Sequence, residues 1–334
     1  MQQRRGARIL LRTSGRNRLL LGALLALCAS IASPLAIGAE KLKVGYNLWV
    51  GSAGVFVAQE KGYYKEAGLD VTFVPFKGPG DTLPALMGEH IDIALTTADN
   101  VVLVDAKSAA GLTIIYATDT SSGADAIVAK KAVSSLAALK GKTIAVTQGE
   151  VNELLLLKAL EAAGMKPGDI KSVNMDPDTA GAAFVAGSVD AAVTWEPWIS
   201  RAVASGDGKV AFSSAQAPNL ILDVIAVKPS VLKARQKAIA AFLAATDKGT
   251  RFVAEHPDPA FPLVAKWLEV APLEVKGMLA GVKLYDAREN ATLFQAGVPA
   301  RTLDVITAFY LERKAIAQTV KGRDMIDASL LSPH

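Results

Sequence analysis

Three tryptophans, five carboxylates and several hydroxyls fall in short loops, each lying between an apolar run and the start of a helix. The loops span residues 47–54, 77–82, 96–100, 118–123, 147–150 and 194–198. They carry Asn47, Trp49, Ser52, Asp81, Thr97, Asp99, Asp119, Thr147, Glu150, Trp195, Glu196 and Trp198, with Lys77 as their only base. Two binding chemistries are available to such a set. Free N–H groups at helix N-termini, helped by Ser52, Thr97 and Thr147, suit an anionic oxygen cluster without any arginine. Carboxylates beside indoles suit an ammonium group or a flat nitrogen heterocycle, by ion pairing and cation–π contact.

Each loop also has a blander reading, because Ser, Thr, Asp and Asn are the preferred helix N-caps anywhere. Six such loops on one rim are harder to dismiss than one. Glu196 precedes Pro197, which fits the first turn of the next helix, so Glu196 either faces a ligand or favours that helix end. Trp267, in a late helical region, reads as core, and Glu60, Lys61 and Lys65 fall toward the far end of their helix and read as structural or surface residues. The acids outnumber the base, so a bare anion would enter a field of like charge. A zwitterion resolves the conflict: its anionic end takes the helix N-termini and hydroxyls while its ammonium pairs with Glu196 or Asp99.

These loops need a scaffold that brings them to one edge, and the apolar patterning supplies it. Strand-like runs at 42–46, 71–74, 91–95 and 112–117 alternate with helical periodicity at 53–66, 81–87 and 99–107. Such alternation means βαβ units around a mainly parallel sheet. The pattern restarts with runs at 126–129, 142–146, 170–175 and 189–193 and helices at 151–163 and 179–186, which implies a second sheet. After the apolar run 220–227 the chain reads as almost wholly helical from Ser230 to about Val320 and is expected to pack back on the first sheet. The expected architecture is therefore α/β and two-lobed, each lobe a mainly parallel sheet flanked by helices. Residues 40–120 plus 223–334 form lobe one and 121–222 form lobe two. Two crossing segments, near 119–124 and 219–223, make a hinge, and ligands favour such interfaces. In parallel sheets they bind beyond the carboxyl ends of the strands, where the six loops lie.

The 334 residues are 51% hydrophobic and 20% charged, with a net charge of +4 that hints at nucleic acid or a membrane surface. The hint does not survive partition of the chain. Arg4, Arg5, Arg8, Arg12, Arg16 and Arg18 all precede Glu40, the first acid; without residues 1–39 there remain 30 basic and 32 acidic side chains, a net of −2. That leading segment has a positive start, an apolar run at 19–27 and small residues up to Ala39, which describes a cleaved secretory signal. Its apolar run is shorter than a bilayer span needs and Pro34 interrupts it. Leu27 before Cys28 argues against a lipoprotein, and Arg4-Arg5 is a weak pointer to twin-arginine export over the general secretory route. The expected product is exported and slightly acidic, with no nucleic-acid partner. Cys28 is the only cysteine, and His90, His256 and His334 are the only histidines. Zinc ribbons, iron–sulfur clusters, disulfide scaffolds and cysteine nucleophiles are excluded from the remaining body, and no cofactor or metal is called for.

The chain resembles the periplasmic substrate-binding proteins of the nitrate/sulfonate/taurine class of ABC importers. The resemblance is carried by Val44-Gly45-Tyr46, the run from Ala58 to Val71 around Gly62-Tyr63-Tyr64, Gly123 to Val128, Leu139 to Thr143, and Gly187 to Pro197. It implies a type II periplasmic binding protein, acting as a monomer, that closes on a solute and delivers it to permease transmembrane subunits with a cytoplasmic ATPase. Within that class the acidic rim favours a taurine-like aminosulfonate or a related amine-bearing solute. A pyrimidine or thiamine precursor, nitrate and alkanesulfonates are the alternatives. Two other functions share the architecture. A periplasmic sensor input is not separable by sequence. A pyrimidine-synthase-like enzyme implies histidine- and cysteine-dependent chemistry, and no histidine here lies in a rim loop, so a non-enzymatic protein is expected.

Overall fold

The computed structural model describes residues 38–108 and 111–331. The expected signal peptide at 1–39 therefore lies almost entirely outside the described residues. Along the chain run β1 (Glu40–Tyr46), α1 (Ala53–Glu60), α2 (Tyr63–Glu66), β2 (Leu69–Pro75), α3 (Thr82–Met87), β3 (Ile93–Thr97), α4 (Ala98–Ser108) and β4 (Thr113–Ser121). There follow β5 (Asp125–Lys130), β6 (Thr143–Val146), α5 (Val151–Ala162), β7 (Lys171–Asn174), α6 (Pro177–Val185), β8 (Ala191–Trp195), α7 (Trp198–Ala204) and β9 (Gly208–Ser213). The chain ends with β10 (Leu222–Val227), α8 (Pro229–Ala234), α9 (Gln236–Glu255), α10 (Pro257–Leu268), α11 (Pro272–Leu279), β11 (Val282–Leu284), α12 (Ala287–Gln295) and α13 (Val298–Glu312).

The strands assemble into two sheets, one per lobe, ordered β11-β4-β10-β3-β1-β2 and β7-β6-β8-β5-β9. The chain passes between them twice, through 122–124 and through 214–221. Both sheets are mixed rather than simply parallel. In the first, β10 runs antiparallel to β3 and β4, and β11 antiparallel to β4. In the second, β5 runs antiparallel to β8 and β9. The reversals of β10 and β5 follow from the crossings, because a strand that enters a sheet directly from the other lobe starts at the rim where its neighbours end.

Two strands escape the sequence reading. β9 and β11 are short edge strands with half-buried patterns, and β11 interrupts a region expected to be helical. The central strands are read more easily because every residue of β3 and β10 is buried. The helix expected over 53–66 is broken at Gly62, whose φ of 74° is left-handed backbone that favours glycine.

The C-terminal helices pack back on the first lobe. α9 crosses α1 where Gly249 meets Gly54 backbone, an approach so close that a Cβ on Gly249 would collide with the Gly54 carbonyl. Asn290 in α12 reaches a bulged part of β4: its Oδ1 accepts from the Ala117 amide at 2.7 Å and its Nδ2 donates to the Ala117 carbonyl at 2.9 Å. Trp267 in α10 stacks on Phe56 and donates to Glu60 at 2.9 Å, so both residues serve packing. One apolar cluster runs through both lobes, joining Val101 and Phe309 to Leu154 and Leu155. The lobes are closed on each other.

Candidate functional site

The strand ends meet where the lobes face. From lobe one come the carboxyl ends of β1, β3 and β4, and from lobe two those of β6 and β8. Because β10 and β5 are reversed, their first residues reach the same rim. Asp223 thus pairs with Thr97 and Asp119 in the first sheet, and Asp125 pairs with Trp195 in the second. The space between is closed to about 10 Å³, scarcely a water's worth, so entry requires the lobes to part. Asn47, Trp49, Thr97 and Asp223 line it from the first lobe, and Asp125 and Trp195 from the second. Pro79, Val151 and Ile221 complete the wall.

Trp49 and Trp195 touch across the lobes, ring centroids 6.1 Å apart at 51°. Both indole N–H groups are already committed. Trp49 Nε1 donates to Asp119 Oδ1 at 3.1 Å, and Trp195 Nε1 donates to Asp178 Oδ1 at 3.1 Å. The short turn Val50–Ser52 carries Gly51 against this pair, where a Cβ would strike both the Asp119 carboxyl and the Trp49 nitrogen. Ser52 is buried at the head of α1. In the β3–α4 junction Asn100 Nδ2 donates to Thr97 Oγ1 at 2.8 Å, and the Tyr310 hydroxyl donates to Asp99 Oδ2 at 3.4 Å. Glu150, at the head of α5, lies against the Gly78–Gly80 turn of the other lobe, where a side chain at either glycine would meet its carboxyl.

Five carboxyls therefore surround the cleft, and none belongs to an ion pair among the described residues. Burial pushes all of them toward the neutral form. Asp125 rises to about 7, with Asp119 and Asp99 adding like charge and Ser121 opposing. Glu150 also rises to about 7, through burial and then the charges of Asp99 and Asp81. Burial raises Asp99, Asp119 and Asp223, and Asp223 is held well above the ordinary carboxyl value by burial first and then by the like charges of Asp119, Asp125 and Asp99. Asp125 Oδ2, Asp223 Oδ2, Glu150 Oε2 and both polar atoms of the Asn152 side chain are buried without a partner. Lys77 is exposed and acts elsewhere: against the burial that raises it, Asp176 is drawn down by Thr179 and, more weakly, by Lys77.

Of the twelve residues expected at the rim, Asn47, Trp49, Thr97 and Trp195 line the space, and Ser52, Asp99, Asp119 and Glu150 stand buried around it. Four are held elsewhere. Glu196 caps α7, accepting from the Ser200 amide at 3.1 Å and hydroxyl at 2.9 Å. Trp198 turns to Asp178, donating at 2.9 Å, and lies under Arg201. Asp81 accepts from the Gly78 amide in its own turn, and Thr147 donates to the Met175 carbonyl. Local bonding wins at Glu196 and Asp81 because a backbone amide three or four residues away is met before any ligand.

Asp125, Asp223 and Asp178 are the acids that sequence reasoning passed over. A search beyond the carboxyl ends of strands misses the first residue of a reversed strand. The available signal was an acid set inside an apolar run, as in Leu220-Ile221-Leu222-Asp223-Val224-Ile225.

The geometry is that of a two-lobed binding protein closing on a central cleft, and known proteins share it. An alkanesulfonate-binding protein of Xanthomonas axonopodis pv. citri, solved bound to MOPS, superposes with a TM-score of 0.73 at 19% identity, over 88% of this chain and all of that one. The desulfurization enzyme DszB does so with a TM-score of 0.68 at 15% identity, over 87% of this chain and 97% of that one. These likenesses show the fold, which hosts both binding and catalysis. In sequence, the taurine-binding periplasmic protein of Escherichia coli K12 is 30% identical over 231 residues, 67% of this chain and 70% of that protein. Residues 49–260 match the family described as NMT1/THI5 like. The chain belongs to that family, among the periplasmic substrate-binding proteins of the nitrate/sulfonate/taurine class. No helix among the described residues is long and apolar enough to cross a membrane.

Proposed function

We propose that the chain is the solute-binding component of an ABC importer, exported by a cleaved leader at 1–39 and acting as a monomer in the periplasm. It captures a small solute that is amine-bearing or zwitterionic, taurine being the model, and delivers it to permease subunits with their cytoplasmic ATPase. The observation that carries this reading is the acidic cleft: carboxyls from both lobes surround the closed space with no basic side chain paired to them, so a solute brings the positive charge.

Lobe one comprises 40–120 plus 223–334, and lobe two 121–222. Asn47, Trp49, Thr97, Trp195, Asp125 and Asp223 contact solute, while Ser52, Asp99, Asp119 and Glu150 shape the site around them. Ligand favours closure only by touching the closed form better than the open one, which contacts from both lobes provide. The taurine-binding periplasmic protein that the chain matches at 30% identity supports a binding role without catalysis.

Isothermal titration of the purified protein with taurine, ethanesulfonate, nitrate and a hydroxymethylpyrimidine tests the reading. Taurine or the pyrimidine binds and the nitrogen-free sulfonate does not; tight binding of nitrate without taurine contradicts it.

A further inference from the structure

The donors and acceptors around the closed space are unbalanced, and the imbalance defines the solute more narrowly than its relatives' names do. A sulfonate head presents three acceptor oxygens and needs several donors. Here both lining indole N–H groups are already given to Asp119 and Asp178, which leaves the Asn47 amide and the Thr97 hydroxyl as side-chain donors on the wall and the unpartnered Nδ2 of Asn152 close by at the head of α5. Unmet acceptors, by contrast, stand on opposite walls. Asp223 Oδ2 belongs to the first lobe and Asp125 Oδ2 to the second; their residues are 9% and 2% exposed, both line the space, and neither oxygen receives a hydrogen bond from a protein donor, the Asp223 carboxyl facing that of Asp119 within its own lobe. Two buried carboxyl oxygens on facing walls are suited to a solute with an N–H donor on each side.

We propose that the solute is a compact cation with N–H donors on two sides and no anionic group, of the guanidinium or short-diamine type, bridging Asp223 of one lobe to Asp125 of the other beside Trp49 and Trp195. This rests on the solute-binding reading and sharpens it. A donor at each end explains closure directly, since only the closed form brings both aspartates to one molecule. The indoles present flat faces suited to such a cation. Isosteric amides at the two positions test the bridge without opening a cavity, because Asn keeps the shape of a neutral carboxyl.

Isothermal titration with methylguanidine, 1,3-diaminopropane, taurine and ethanesulfonate, on the native protein and on Asp223→Asn and Asp125→Asn, separates the outcomes. One of the two cations binds at least about 10-fold more tightly than taurine, and each amide variant weakens it by about 30-fold, with melting temperatures showing that both variants remain folded. Tighter binding of taurine overturns the two-sided cation and leaves the solute-binding reading intact. Binding of ethanesulfonate alone overturns the two-sided cation and also the amine-bearing solute of the proposed function. Cation affinity unchanged in both variants overturns the bridge.

Discussion

Trp49 and Trp195 meet across the two lobes with their ring centroids 6.1 Å apart. Each indole is pinned from behind by an aspartate of its own lobe, Asp119 for Trp49 and Asp178 for Trp195. The pair therefore reports on closure: it exists only while the lobes are together, whereas Trp267 stays stacked on Phe56 within one lobe.

Tryptophan emission is accordingly expected to change when solute binds. Trp195→Phe should abolish most of that change and Trp267→Phe should preserve it. Trp195→Ala should weaken solute binding by about 1–2 kcal/mol through lost contact area and cation–π attraction. A fluorescence titration checks both. An unaltered signal in Trp195→Phe would remove the pair from the closing interface.

Gly51→Ala should impair the site from a position that needs no contact with solute. The added methyl falls on the Asp119 carboxyl and the Trp49 indole nitrogen, both buried. Overpacking of this kind costs about 1–3 kcal/mol, so thermal denaturation should show a lowered melting temperature, and titration a weakened affinity. Gly168→Ala, with open space around its Cβ, is the matching control and should change neither.

Glu196→Ala should leave affinity where it is. Its carboxylate is spent on the Ser200 amide and hydroxyl, so the expected loss is a cap, about 0.5–2 kcal/mol of stability. Asp178→Ala is expected to do the opposite, loosening Trp195 and Trp198 together and weakening binding. Titration and melting of the two variants distinguish them; a large affinity loss in Glu196→Ala would return that residue to the site.

The pattern of these sites explains what the amino-acid order reveals. Buried central strands such as β3 and β10 are legible because their apolar runs are continuous, and the lobes follow from the restart of the alternation. Trp49, Thr97 and Trp195 are legible because they follow forward strands. Asp125 and Asp223 are not, because their place at the rim depends on which strands are reversed, a property of sheet topology rather than of local pattern. Glu196 misleads for the converse reason: its position beyond β8 is right for a ligand contact, but the amide and hydroxyl of Ser200, four residues on in α7, claim it first. β11, two half-buried residues around the exposed Lys283, is held by pairing with β4.

The ligand-free protein should lose stability as pH rises from about 4 to 7. Asp125 and Glu150 titrate near 7 when folded and near 4 when unfolded, so the folded form binds more protons across that window. By linkage the contribution is fully present below the unfolded value and is lost as pH climbs through the folded one. Carboxyls drawn downward by their partners, Asp169 and Asp190, act below this window, where their contribution is lost on acidification. The melting temperature should be higher at pH 5.5 than at pH 8, and Asp125→Asn should raise it more at pH 8. Affinity for a cationic solute should move the other way, tightening as the carboxyls ionise. A melting temperature that rises with pH in the ligand-free protein would contradict the burial of these groups.

The central claim is that the cleft holds a small solute carrying positive charge. Mass spectrometry of the small molecules released when the freshly purified protein is unfolded tests it most directly. The account predicts a stoichiometric compound containing a protonatable nitrogen, absent from a preparation of the Asp223→Asn variant. Stoichiometric release of a nitrogen-free sulfonate or of nitrate would contradict it.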